Sequence, residues 1–202
     1  MFDVTIVNII SNIWPMVVII TVILTSIRIT QIMINKEKII LYKELLKFGF
    51  IVYIISLFYV VTFQDIIFGT SNFIPFKEVF RYEILSKLFF KNVIGNVIMF
   101  IPYGFFISYF LNLNKKKYVF YLCLIVSLTI EVTQLLIGRV FDVDDIMLNI
   151  LGGFIGYFIY DIINNIKDNL PKIFKKDSLY NFISIVILFG IIFYVSHLLG
   201  GI

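Results

Sequence analysis

Acids, amides and one arginine recur at helical spacing within an otherwise apolar stretch. Glu131 and Gln134 are followed by Arg139, then by Asp142, Asp145 and Asn149, and then by Gly152, Gly153 and Gly156. Upstream, Asn92 and Asn96 stand four apart. Offsets of three and four place side chains on one side of a helix. Glu131, Asp142 and Asp145 could act as general acid and base if burial and mutual repulsion separated their proton affinities. The same carboxylates could instead hold a divalent cation through oxygen ligands, with Asn96, Gln134 and Asn149 completing the shell. Arg139 could clamp a phosphate or carboxylate, or pair with Glu131 or Asp142. A plainer reading makes the amides interhelical hydrogen-bond partners and Glu131–Arg139 an ion pair that fixes helix register. Acids at 142–145 would also suit the positive end of a following helix. For the set as a whole a ligand site is the stronger reading, because so many polar groups exceed what register requires.

The elements that must position these groups follow from composition. The chain has 202 residues, 60% of them hydrophobic and 15% charged, and a mean hydropathy of +1.00. Continuous apolar runs of spanning length indicate an all-α polytopic membrane protein rather than a β-barrel, whose strands would alternate. About six transmembrane helices are expected, over 13–34, 45–63, 92–113, 118–137, 145–163 and 179–199. Residues 64–91 between the second and third are expected to form an interfacial or re-entrant segment. Pro102 should kink the third span. Pro15 suits the first turn of the first span, with Ser11 or Asn12 as its cap. Arg28, near the far end of that span, is expected to snorkel to the headgroups in preference to forming a buried ion pair. Three regions result: 1–71 with two spans and a loop, 72–166 as the core, and 167–202 with a basic linker and the last span.

Cys123 and His197 are the sole residues of their types. They exclude an intrachain disulfide, a His/Cys metal site and a His-dependent nucleophile. The net charge of +4 does not signal nucleic acid, since most lysines lie in short loops. One side collects eleven basic residues, at 36, 38, 43, 47, 115–117, 167, 172, 175 and 176; the other has five, accompanied by acids that include Asp65. The first side is cytoplasmic by the positive-inside rule, which puts both termini outside. At 1.5 Å per residue Asn96 and Asn149 each lie about 6 Å below their helix starts, and Glu131 about 9 Å below residue 137. The polar faces should therefore meet beneath the outer surface. Gly152 and Gly156 would let a neighbouring backbone approach.

The series Asn72-Phe73-Ile74-Pro75-Phe76, Asn92-x3-Asn96, Phe100-Ile101-Pro102-x-Gly104-Phe105 and Glu131-x2-Gln134-x4-Arg139-x2-Asp142-x2-Asp145-x3-Asn149-x2-Gly152-Gly153 resembles the VanZ-like family. The resemblance covers roughly 72–160. It implies a bacterial inner-membrane protein associated with resistance to glycopeptides such as teicoplanin, with no reaction established. Its partners would be membrane lipids and a lipid-linked envelope precursor or the lipoglycopeptide itself, not nucleic acid. Asn92, Asn96, Glu131, Gln134, Arg139, Asp142, Asp145 and Asn149 are the candidate ligand-binding residues. The competing expectation is an intramembrane hydrolase or transferase acting on a lipid-linked substrate, with Glu131 as base and Asp142 and Asp145 holding a metal. A transporter is disfavoured, because no internal repeat is visible.

Overall fold

The structure is a computed structural model that describes residues 2–63, 70–84, 86–167 and 169–200. Gln64 and Asp65 lie outside the described residues. The long helices are α1 (Phe2–Asn35), α2 (Leu41–Phe63), α4 (Gly95–Leu111), α5 (Lys116–Leu136), α6 (Val143–Lys167) and α7 (Asp177–Gly200). A single turn, α3 (Lys87–Phe89), runs through a wide π turn at Phe90–Ile94 into α4. Among the described residues six helical stretches are long and apolar enough to cross a membrane, and the only β-type pairing is one isolated bridge.

Two compact units divide the chain, residues 1–56 with 167–202 and residues 57–166. In the first, Arg28 takes the ion-pair alternative. It forms ion pairs of 2.9 Å with both Glu37 and Glu44, because the turn between α1 and α2 returns two carboxylates to its level. The backbone N–H of Tyr42 donates to Asn181 of α7 at 3.0 Å. Helix α1 starts well before residue 13, so Pro15 lies inside it and Ser11 and Asn12 are helical rather than capping. The helix already begins at Phe2.

The second unit holds the polar series. Its packing depends on glycine. A Cβ on Gly104 would lie 2.0 Å from the carbonyl oxygen of Gly153, one on Gly152 2.1 Å from that of Val97, and one on Gly156 2.1 Å from that of Ile101. The backbones of α4 and α6 are therefore in direct contact, as small residues permit between membrane helices. On its other side Gly153 faces buried Cys123 of α5, whose Sγ would be 2.2 Å from an added Cβ. Helix α4 continues unbroken past Pro102 and ends at Asn112, which takes the left-handed conformation (φ 48°) of a C-terminal cap.

Candidate functional site

Helix α5 ends in a Schellman turn. Gly138 (φ 85°) lets its own N–H donate to Leu135 and the N–H of Arg139 donate to Gln134, at 3.1 and 2.9 Å. This turn aims Arg139 back at the bundle, where Nη1 donates to the carbonyl of Val61 at 2.6 Å. The Gln134 amide is oriented by its two neighbours. Its nitrogen donates to Glu131 Oε1 and its oxygen accepts from Arg139 Nη1, both at 3.1 Å. The anticipated Glu131–Arg139 ion pair is thus replaced by a bridge through Gln134. Glu131, only 1% exposed, accepts a second bond at 2.9 Å from the backbone N–H of Asp142.

Asp142 immediately precedes α6 and caps it, Oδ1 accepting from the N–H of Asp144 at 2.9 Å. The same oxygen accepts from the Asn72 amide at 2.8 Å. Asn72 and Asp142 form the isolated parallel bridge, in which Asn72 N–H donates to Phe141 at 2.8 Å and Val143 N–H donates to Asn72 at 3.1 Å. Phe73 stacks on Phe141 with ring centroids 5.3 Å apart. Burial raises the Asp142 carboxyl above the ordinary carboxylate range; the hydrogen bonds from Asn72 and Asp144 oppose the shift, and the charges of Asp144 and Glu78 add to it.

Asp144 was absent from the candidate set, yet it anchors the segment after Asn72. It is 2% exposed. Its carboxylate accepts from the backbone N–H groups of Phe76, Glu78 and Val79. These donors hold Phe76 at φ 66°, a conformation that costs an L-residue about 1–2 kcal/mol and persists only when its surroundings enforce it. Residues 72–82 consequently form a docked cover, whereas Lys87 onward belongs to the helical stretch running into α4. The third span so begins five residues before the expected Asn92, and Asn96 lies about 13 Å along it rather than 6 Å.

All eight candidate residues line one cavity of about 600 Å³. Asn92 lies in the π turn and Asn96 one turn on, its amide donating to Asp145 Oδ1. Asn149 donates to Ser127 of α5 at 2.8 Å. Asn72, Glu78, Arg81 and Lys91 complete the polar rim. Glu78 is paired with Arg81 at 3.1 Å. No three His, Cys, Asp or Glu side chains among the described residues converge as a metal shell, because Asp144 turns toward the cover and Glu131 toward the Asp142 backbone and Gln134. The divalent-cation expectation therefore finds no shell in this geometry. Asp144 escaped notice because it lies about 100° around the helix from Asp145.

Six apolar helices and a polar cavity enclosed between four of them define a multi-pass α-helical membrane protein. Residues 50–164 match the VanZ/LLP1 family, more than half of the chain, and the chain belongs to that family. It is similar to Protein VanZ of Enterococcus faecium, with 36% identity over 115 residues, which make up 54% of this chain and 66% of that relative. The chain thus covers slightly less than two thirds of the relative's length. No solved structure matches.

Proposed function

We propose that this protein contributes to resistance against glycopeptides of the teicoplanin type by binding an anionic or lipid-linked envelope component in the cavity beneath residues 72–82. It would sit in the bacterial cell membrane with that cover and both termini outside, as the loop lysines direct. The observation that carries the reading is the meeting of eight polar side chains from three helices and their connecting turn around one 600 Å³ space, a size suited to a small-molecule headgroup. Exposed Phe73, Ile74, Phe76 and Phe80 on the cover suit a ligand whose tail stays in lipid. Arg139 retains guanidinium donors beyond Nη1 for an anion at the rim. Glu131 and Gln134 hold that arginine in place.

The test is teicoplanin susceptibility of a sensitive host expressing the wild-type chain, Glu131→Gln or Arg139→Ala, with membrane insertion checked by immunoblot. The wild-type chain should raise the inhibitory concentration, and both variants should insert normally and return it to the vector level. Full resistance in both variants overturns the reading.

A further inference from the structure

On the side of the cavity formed by Asp142, Asp145 and Asn149 the hydrogen-bonding capacity left over is one-sided. Both Glu131 oxygens accept bonds from the protein, and Asp144 is filled by three backbone donors. Asp142 and Asp145 bond through Oδ1 alone; among the described residues neither Oδ2 accepts a hydrogen bond and neither carboxylate has an ion-pair partner. Asn149 stands one turn beyond Asp145 on the same helix face. It lines the cavity and is 4% exposed, and its Oδ1 is buried with no partner. Of the nearby cations, Arg139 is engaged through Nη1 with Val61 and Gln134, Arg81 is paired with Glu78, and Lys91 is exposed at the rim.

Every unfilled group on this face is thus an acceptor, and two of the three are carboxylates. In a membrane interior such groups demand donors and positive charge. A divalent ion fits less well, since no three carboxylates converge. A primary ammonium carries one positive charge and three N–H donors, matching three acceptors.

We propose that this face of the cavity binds a primary ammonium group, with Asp145 Oδ2 and Asn149 Oδ1 accepting N–H bonds and Asp142 supplying the second negative charge. The proposal rests on the reading of the cavity as a ligand site and names the chemistry it takes. The amine belongs either to a lipid headgroup or to a soluble molecule. The anion-binding rim and the ammonium-binding floor together fit a zwitterionic head.

The experiment is thermal unfolding of the full-length chain in phosphatidylglycerol nanodiscs titrated with ethanolamine, choline, magnesium or inorganic phosphate, repeated in discs containing phosphatidylethanolamine. Ethanolamine should raise Tm saturably. Choline, equally charged but without N–H donors, should need at least about tenfold more. Asp145→Asn and Asn149→Leu should each weaken the ethanolamine response about tenfold or more, with the unliganded Tm of each reporting its folding. Should Asp145→Asn fail to fold, Asn149→Leu and the choline comparison still decide. Loss of the ethanolamine response in phosphatidylethanolamine discs, with Tm already raised, assigns the amine to lipid; a persisting response assigns it to a soluble ligand. No response to either amine source, equal potency of choline, or stabilisation by magnesium or phosphate alone overturns the proposal. Amine binding without resistance overturns the functional reading alone, and resistance lost in Glu131→Gln without amine binding overturns the ammonium alone.

Discussion

Replacing Asp144 with alanine should release the 72–82 cover while leaving the helices in place. Three backbone N–H groups lose a carboxylate acceptor, at 2.8 Å for Glu78 and 3.2 Å for Val79, with Phe76 the third. Hydrogen bonds to charged groups contribute roughly 1.5–3 kcal/mol each. Water can reach part of this segment once it lifts, so the sum is discounted to about 3–5 kcal/mol. The strained Phe76 backbone adds to the drive for release. The suitable assay is amide hydrogen exchange of residues 72–82 in nanodiscs. A local opening made easier by about 3 kcal/mol speeds exchange on the order of a hundredfold. Peptides from α4 and α6 should keep their protection. Asp144→Asn retains one acceptor oxygen and should fall between. Unchanged exchange at Phe76, Glu78 and Val79 in the alanine variant would show that the carboxylate does not hold the cover, and the reasoning would fail.

Two other outcomes test the architecture. Gly104→Ala and Gly156→Ala place a methyl about 2 Å from backbone oxygens of Gly153 and Ile101; helix backbones cannot yield as side chains do, so each should cost about 1–3 kcal/mol or more, read by thermal melting in detergent. Gly190→Ala, with nothing within 4 Å, should not lower the melting point, since alanine favours the helix interior over glycine. For orientation, Glu83→Cys should react with a membrane-impermeant maleimide in intact cells and Lys116→Cys only after permeabilisation, with buried Cys123 giving little background. The reverse pattern would invert the assigned sides.

Six spanning helices were readable because apolar length alone specifies them. The cavity-lining set was readable from offsets of three and four, since Glu131, Gln134, Asp145 and Asn149 lie on regular helix. What escaped depends on partners distant in sequence or on backbone atoms. Asp144 binds main-chain donors 65 to 68 residues away, and no side-chain pattern advertises such a contact. The partners of Arg28 were not legible from spacing, because the turn after α1 brings Glu37 and Glu44 to it. The start of the third span was misplaced because Lys87 and Lys91 read as loop charges. They extend the helix past the apolar stretch, and the π turn at Phe90–Ile94 breaks the regular offset on which the depth of Asn96 was reckoned.

The bridge between Asn72 and Asp142 imposes a sequence of events on biosynthesis. When Asn72 emerges from the ribosome, its partner is still 70 residues from being made. The cover must wait undocked while α4 and α5 are threaded into the bilayer, its donors meanwhile served by water. Only when Asp142 and Asp144 arrive at the head of α6 can it close. The cavity is therefore the last part of this unit to take shape, and a chain halted before that point would insert its early helices without forming a site.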